Sequence, residues 1–259
     1  MKNNCKIISI INQKGGVGKT TTSINLATAL SLHQKNILLI DLDPQGNLST
    51  GMGLENTDRS QSIYGLLLDD ISIENVIKKT LLPNIDIITS NQDLSAFDVE
   101  VSNLEHKELI IDRKLKYINE KFQKYDYIFI DCAPSLSLLT VNALAASNSV
   151  LIPLQCEFFA LEGIANILKT INYIRSILNP ELTVEGILLT MFDRRNRLCK
   201  EIVADVRKNF GNLVYDQVIP RNVKLSEATS HGTPIMLYDS RCSGSISYIL
   251  LAQEILKKH

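Results

Sequence analysis

The feature that most constrains this chain is a glycine-rich loop between an apolar run at residues 6–11 and a segment of helical periodicity that begins at residue 19. The loop reads Asn12-Gln13-Lys14-Gly15-Gly16-Val17-Gly18-Lys19-Thr20-Thr21-Thr22. Strand, glycine loop and helix together direct many backbone N–H groups and the positive end of a helix dipole at one spot. The order predicts a polyphosphate-binding loop at the start of an α/β fold.

Residue types within the loop suggest separate roles. Lys19 would reach the β- and γ-phosphates, and the Thr20 hydroxyl would ligate Mg²⁺. The pattern G-x-x-x-x-G-K-[S/T] is not met, because Gln13 stands where its first glycine belongs. A second lysine, Lys14, follows instead, and its alternative interpretation is a solvated turn residue. The remaining predicted ATP contacts are Gly15, Gly16, Val17, Gly18 and Thr21.

Short β-branched runs alternate with longer helical segments, which is typical of βαβ units in a parallel sheet. Continuous apolar strands indicate burial on both faces. Strands are predicted at residues 6–11, 36–41, 85–89, 127–131, 149–153, 184–191 and 213–219. Helices are predicted at residues 19–33, 107–122, 137–147, 160–178, 197–210, 223–231 and 243–258. We therefore expect one α/β P-loop NTPase domain over residues 1–259, with a mostly parallel twisted sheet of about seven to eight strands and helices on both faces.

Composition excludes several classes of protein. Hydrophobic residues make up 45% of the 259 residues, and the formal net charge of −1 rules out a uniformly basic chain that coats nucleic acid. No apolar run approaches the ~20 residues that span a bilayer. The N-terminus runs into a strand without a signal-peptide pattern, so a cytoplasmic protein is expected. Five cysteines without a CxxC pair predict free thiols.

Three aspartates follow apolar strands. Asp131 ends one predicted strand, whereas Asp41 and Asp43 lie at the end of another. Ligands of open α/β sheets bind at the carboxyl ends of strands, and an apolar strand that ends in aspartate is the Walker B arrangement that holds Mg²⁺. Asp131 is the predicted metal residue. For Asp41 and Asp43 the alternative is that they open a turn before Pro44.

Taken together, these motifs resemble the deviant Walker A ATPases, and within them the ParA/Soj partitioning proteins. The resemblance covers the chain. Its motifs are the KGGVGKTT loop, Asp41-Leu42-Asp43-Pro44-Gln45-Gly46-Asn47, Asp131-Cys132-Ala133-Pro134, Ala160-Leu161-Glu162-Gly163, Ile219-Pro220-Arg221-Asn222, Leu225-Ser226-Glu227-Ala228 and Ser230-His231-Gly232.

The resemblance implies roles for single residues. Lys14 would cross a dimer interface to the phosphates of the partner's ATP, so that it both joins the subunits and takes part in catalysis. Asp43 would position the attacking water, while Asp41 would support either the Mg²⁺ shell or the switch loop. Pro220, Arg221 and Asn222 resemble the family's adenine-edge contacts, and of these Pro220 and Asn222 are the predicted ATP contacts. Residues 43–49 and 131–137 would be switch segments that respond to the γ-phosphate.

Charge is segregated along the chain despite its small total. Residues 55–121 carry 13 acids against 8 bases, whereas residues 191–224 carry 8 bases against 4 acids. In the ParA/Soj relatives, surface arginines at the positions of Arg195 and Lys224 bind DNA once the ATP dimer has formed, and this chain has a lysine at the second position. Such a patch favours non-specific, salt-sensitive DNA binding. The alternative is the solvated face of a helix.

The family resemblance implies a slow, partner-stimulated ATPase that forms a homodimer with ATP and segregates chromosome or plasmid DNA. Its partner would be a ParB/Spo0J-like centromere-binding protein, and the ATP form would associate with the nucleoid. One alternative is a MinD-like ATPase at the membrane, which would need an amphipathic basic C-terminal helix that residues 249–259 do not resemble. Positioning of a protein cargo and an ATP-dependent small-molecule ligase are further alternatives. An iron–sulfur electron carrier would need bridging cysteines, and only Cys132 lies near a switch segment.

Overall fold

One twisted sheet organises the chain in the computed structural model, which describes residues 5–55, 59–68 and 71–258. The described residues form seven strands in the order β3-β4-β2-β5-β1-β6-β7. The strands are β1 (Lys6–Ile10), β2 (Ile37–Leu42), β3 (Ile77–Lys79), β4 (Ile85–Ile88), β5 (Tyr127–Cys132), β6 (Ser149–Gln155) and β7 (Thr183–Thr190). All neighbouring pairs are parallel except β3 and β4. The predicted α/β class and mostly parallel sheet are confirmed.

The helices connect the strands and lie on both faces of the sheet. They are α1 (Lys19–Ser31), α2 (Asn47–Gly51), α3 (Ile63–Leu68), α4 (Ile73–Val76), α5 (Phe97–Glu100), α6 (Ile110–Phe122), α7 (Leu138–Ala146), α8 (Ala160–Ile177), α9 (Arg197–Phe210), α10 (Val223–Ser230), α11 (Ile235–Tyr238) and α12 (Ser243–Lys258). Single 3₁₀ turns precede α5 and α6 and follow α9. Each long predicted helix is present with its ends within a few residues of those expected.

Successive side chains along the central strands point to opposite faces of the sheet, which divides the core into two layers. In β2, Leu38 and Ile40 belong to the core layer that also contains the buried residues of α6, α7, α8 and α9, while Leu39 belongs to the layer on the opposite face, with those of α1, α10 and α12. Every residue of β2 and β5 is buried. Because both faces of these strands are covered, their sequences are apolar throughout until the aspartates at their carboxyl ends.

The strand expected at residues 213–219 is wrong. A 3₁₀ turn at Gly211–Leu213 comes first, and only isolated bridges join Val214 and Pro220 to the β7 side of the sheet. The N–H groups of Asp216 and Gln217 donate instead to the carboxylate of Glu254 on α12, at 2.9 and 3.1 Å. Tyr215 and Ile219 still donate to the carbonyls of Ile187 and Leu189 in β7, so the ladder is interrupted at the two residues that bond to Glu254.

The short edge strand β3 was not expected from the sequence. It is antiparallel to β4 and contains only Ile77, Lys78 and Lys79, which continue directly from the helical turn α4. Three residues with two lysines provide too little apolar alternation to indicate a strand. Among the described residues, no helix is both long and apolar enough to cross a bilayer. All five cysteines are free.

Candidate nucleotide-binding site

The loop between β1 and α1 has the backbone shape of a phosphate cradle. Gly18 caps α1 with a left-handed φ of 92°, which a residue with a side chain adopts only at a cost. Added Cβ atoms at Gly15 and Gly16 would meet nothing within 4 Å, so the space above the loop is open. Buried Val17 fastens the loop below, where its carbonyl accepts a 2.8 Å hydrogen bond from Thr190 of β7.

The two lysines of the loop differ in exposure and direction. Lys19 is 7% exposed and donates from Nζ to the backbone carbonyl of Lys14 at 3.1 Å, so its amine is held by the loop itself. Burial lowers the pKa of Lys19, and the charges of Asp131 and Asp43 oppose that shift. The Lys14 side chain is half-exposed and forms an ion pair with Glu157, which follows β6. Lys19 therefore faces the cradle, whereas Lys14 points outward to its rim.

Thr20 and Asp131 meet at the start of α1, as the motif predicted. The Thr20 hydroxyl donates to Asp131 Oδ2 at 2.7 Å, and the Ser23 hydroxyl donates to Oδ1 at 2.8 Å. Carboxylate and hydroxyl oxygens are hard ligands, and Mg²⁺ commonly takes only one or two of them together with phosphate oxygens and waters. Thr20 and Asp131 fit that role.

Asp41 lies beside Asp131 on the neighbouring strand, in register with it. Both Asp41 oxygens are used by the loop that follows β2: Oδ2 accepts from the N–H and hydroxyl of Ser49 at 2.8 and 2.7 Å, and Oδ1 accepts from Asp43 N–H at 3.2 Å. Of the two roles expected for Asp41, this geometry favours support of the switch loop. Asp43 is partly exposed, and its Oδ1 caps the turn by accepting from Gln45 N–H at 3.0 Å.

The pKa values of the adjacent carboxyl groups of Asp131 and Asp41 are raised. Burial raises the pKa of Asp131 to about 7, and the neighbouring charge of Asp41 adds to the shift. Burial also raises the pKa of Asp41 to about 6, against the hydrogen bonds from Ser49. Two buried carboxylates side by side favour a bound cation, because a cation removes the cost of ionising both. The site is therefore electrostatically suited to a divalent metal beside the loop.

A cavity of about 280 Å³ lies next to the other end of the phosphate cradle. Gly18 and Thr21 line it from the loop side, and Pro220, Asn222 and Tyr248 line it from the opposite side. The Asn222 side chain caps α10 by accepting from Lys224 N–H at 2.9 Å and donates to Ser243 at 3.0 Å. The structure thus places the predicted base contacts Pro220 and Asn222 in the wall of a cavity that Gly18 and Thr21 of the phosphate loop also line.

Comparison with known proteins agrees with this geometry. Residues 5–184 match a family model described as AAA domain. The chain is 47% identical to the chromosome partitioning protein ParA of Caulobacter vibrioides, over 99% of this chain and 96% of that protein. It is 48% identical to the sporulation initiation inhibitor protein Soj of Bacillus subtilis, over 96% and 98%. The chain belongs to the ParA/Soj family.

Solved structures show the same architecture. A structure described as cobyrinic acid a,c-diamide synthase from Mycobacterium smegmatis, with bound ADP and magnesium, has a TM-score of 0.84 and 30% identity over 98% of this chain and 94% of that one. A putative plasmid partition protein of Borrelia burgdorferi bound to AMPPNP has a TM-score of 0.81 and 29% identity over 99% and 100%. MinD of Pyrococcus horikoshii with Mg-ADP, at 24% identity and a TM-score of 0.76, shares the fold.

The cations that the ParA/Soj resemblance assigned to DNA lie outside the nucleotide site, and each has an acidic neighbour. Arg195, whose side chain is 92% exposed, pairs with Asp193 at 3.2 Å. Lys224 pairs with Asp239. The hydrogen bonds of these pairs lower the pKa of both aspartates. Both cations are accessible, and DNA phosphates would have to compete with an internal carboxylate at each.

Several polar residues that complete the site of this ParA/Soj protein belong to none of the motifs in its sequence. Ser23 and Ser49 are the hydroxyl partners of the two buried aspartates, and Thr190 fastens the loop. Ser23 comes one helical turn after Lys19, so its spacing could have placed it beside the loop. Thr190 and Glu157 reach the site only through the order of strands β1, β6 and β7, which spacing in one sequence does not reveal.

Proposed function

We propose that this chain, as one domain over residues 1–259, is an ATP-hydrolysing switch that dimerises with ATP, binds DNA non-specifically and segregates DNA with a ParB-like partner. The observation that carries the proposal is that the two lysines of the loop differ in burial and in the direction of their amines. Lys19 is committed to its own cradle, whereas the half-exposed Lys14 is directed out of it, where a second subunit's triphosphate could lie. A cation supplied from outside the site stabilises charge on the transferred phosphoryl group.

Nucleotide binding follows from the residues described above. Lys19 and the N–H groups of residues 15–21 hold the phosphates, while Pro220 and Asn222 border the base. Thr20 and Asp131 hold Mg²⁺, with Asp41 supporting the adjoining loop, and the metal supplies positive charge at the β- and γ-phosphates. Asp43, at the exposed turn after β2, positions the attacking water. A slow intrinsic rate is expected, because the extra cation found beside the loop in the described part of the chain is Lys14, and it would reach a triphosphate only after dimerisation.

Dimerisation is supported by the surface around Lys14. Phe158 and Phe159 follow Glu157 and are 75% and 67% exposed, and Leu136 and Leu161 are exposed as well. Lys14, Glu157 and Phe159 border one open cavity of about 390 Å³. Large apolar side chains are seldom left in water around a polar site without a covering surface. A second copy with bound ATP would cover them and bring its triphosphate to Lys14.

DNA binding would use Arg195 and Lys224 in both subunits, so that the dimer offers two basic surfaces. A single surface with internally paired cations holds DNA weakly, whereas two linked surfaces bind with a high effective concentration. The partner is a ParB/Spo0J-like protein whose basic tail stimulates hydrolysis and returns the dimer to monomers. In the cell the ATP form would be nucleoid-associated and the monomer cytoplasmic.

The test is whether ATP, and not ADP, induces salt-sensitive binding to arbitrary duplex DNA. Asp43→Ala should bind ATP, remain dimeric in gel filtration and stay on DNA, because hydrolysis is blocked after dimerisation. Arg195→Glu should form the same ATP dimer but lose DNA retention, whereas Lys116→Glu on α6 is the matched control and should retain it. A monomeric Asp43→Ala protein with ATP, or equal retention with ADP, would contradict the proposal.

A second candidate function is ATP-dependent ligation of a small molecule. Its support is the 30% identity to the Mycobacterium smegmatis structure described as a cobyrinic acid a,c-diamide synthase. A ligase would release phosphate from ATP only with an acceptor carboxylate and an amine source present. DNA-stimulated or partner-stimulated hydrolysis without such an acceptor supports the switch, whereas acceptor-dependent hydrolysis by a monomer supports the ligase.

A further inference from the structure

A buried arginine holds the segment that contains Asp43, although it lies outside every motif of the nucleotide site. Arg59 is 4% exposed. Its Nη1 donates to Gly46 carbonyl at 3.2 Å, and its Nη2 donates to Thr50 Oγ1 at 2.8 Å and to Leu54 carbonyl at 2.6 Å. These acceptors lie before, within and after α2. One guanidinium group therefore holds both ends of this five-residue helix.

The helix held by Arg59 is connected to the carboxylates of the site. Ser49 of α2 donates twice to Asp41, and Ser90 N–H donates to the Ser49 hydroxyl at 3.1 Å from the loop after β4. On the other side, Gly46 N–H donates to the Asp43 carbonyl at 2.9 Å and closes the turn that presents Asp43. Arg59 thus contacts α2 at the residue that ends the Asp43 turn.

Packing leaves little freedom in this arrangement. A Cβ atom at Gly46 would overlap Arg59 Nη1 and lie 3.2 Å from the Ser90 carbonyl, while the backbone there is left-handed with a φ of 64°. Only glycine permits both the conformation and the approach of the guanidinium group. A lysine at position 59 would bring one ammonium group without the planar fork that reaches separate acceptors.

We infer that Arg59 is a positioning residue for hydrolysis: through Gly46, Thr50 and Leu54 it holds α2 so that Ser49 stays on Asp41 and Asp43 keeps its place. This inference rests on the proposed ATPase function. The guanidinium hydrogen bonds described for Arg59 go to residues in and around α2, and none of these acceptors lies in the phosphate loop or lines the base cavity. Its loss should therefore lower kcat and leave the KM for ATP nearly unchanged, because misplacement of a group by about 1 Å costs up to ~10²-fold in rate.

The experiment compares Arg59→Lys with wild type and with Arg113→Lys, an exposed arginine on α6 that donates to one carbonyl at 3.4 Å. We expect kcat of Arg59→Lys to fall roughly 10- to 100-fold while the KM for ATP stays within about 2-fold. Amide hydrogen exchange without nucleotide should accelerate at residues 45–54 and remain unchanged in β1, β2 and β5. Thr50→Val removes one exposed acceptor and should shift both measurements in the same direction by a smaller factor.

The outcomes separate two failures. Equal kcat and equal exchange in Arg59→Lys and Arg113→Lys would overturn the inference, and so would faster exchange throughout the sheet, which indicates a general structural role. If wild type hydrolyses no ATP, the proposed function and the kinetic role of Arg59 both fail. In that case exchange at residues 45–54 still decides whether Arg59 holds α2.

Discussion

At the scale of single residues, the two loop lysines predict opposite defects. Lys19→Ala should abolish ATP binding, because the buried amine is lost from the cradle. Lys14→Ala should still bind ATP, since Lys19 contacts only the backbone carbonyl of Lys14, but it should stay monomeric. Binding of a fluorescent ATP analogue and gel filtration with ATP measure the two effects, with Lys35→Ala as a control at the opposite end of β1 and β2. An ATP-induced dimer of Lys14→Ala would contradict the proposal that Lys14 contacts the ATP of a second subunit.

Glu157 provides a second test at this scale, because it forms an ion pair with the Lys14 amine within the same chain. Before Lys14 can reach another subunit, this ion pair must open, and exposed pairs of this kind stabilise by only ~0–1 kcal/mol. Glu157→Gln should therefore favour the ATP dimer, with a dimer dissociation constant roughly 2- to 5-fold lower in analytical ultracentrifugation. Glu120→Gln on α6 is the control. A weaker dimer would mean that Glu157 itself contacts the partner.

At the scale of elements, Asp86 connects β4 to β3 and to the segment that precedes β5. Its carboxylate accepts from Lys79 of β3 at 3.2 Å, from Lys124 at 2.7 Å and from Tyr125 at 2.9 Å. Burial works to raise the pKa of Asp86, but these hydrogen bonds together outweigh it and lower the pKa. The ionised carboxylate thus holds the antiparallel edge of the sheet.

Asp86→Asn should lower the free energy of unfolding at pH 7 by about 1–2 kcal/mol, because a charged acceptor of three donors is lost. A lowered folded-state pKa stabilises above the unfolded value near 3.9, and this contribution disappears as pH falls through the folded pKa. Urea denaturation from pH 7 to pH 2.5 should therefore show the difference from wild type shrinking below about pH 4. Asp112→Asn, which alters an exposed pair with Lys116, is the control, and a difference as large at pH 2.5 as at pH 7 would contradict this role.

Elements with strong local signals could be predicted, and those that depend on distant partners could not. The ends of α9 at residues 197 and 210 follow from its amphipathic pattern, and Asn196 accepts from Cys199 N–H at its start. The interrupted segment at residues 213–219 depends on Glu254, far away in sequence, so its apolar residues alone favoured a strand. The same holds for the site: the loop, Thr20 and Asp131 have a motif, whereas Arg59 and Glu157 have none.

At the scale of the whole molecule, a net charge of −1 provides no long-range attraction for DNA, so binding depends on the local patch. There the internal aspartates compete with phosphates. Asp193→Asn should release Arg195 and strengthen DNA binding of the ATP dimer by roughly 2- to 5-fold at moderate salt. Asp112→Asn changes the net charge equally but lies on α6, so it should leave the affinity unchanged. Filter binding across a salt series measures the DNA affinity of both variants. Equal increases in affinity would show that total charge matters rather than the Arg195–Asp193 ion pair.

The two borders of the sheet have a consequence for assembly. On one side β3 is only three residues long and carries two lysines, which discourages strand addition, and on the other side residues 214–220 lean against β7. Within the part of the chain that the structure describes, neither border offers a long free backbone to which another copy could add a strand. Growth of a fibre by addition of strands at a sheet edge is therefore disfavoured. Under the proposed function, two copies would instead associate through side chains and bound nucleotide, and such contacts can form and break within one turnover.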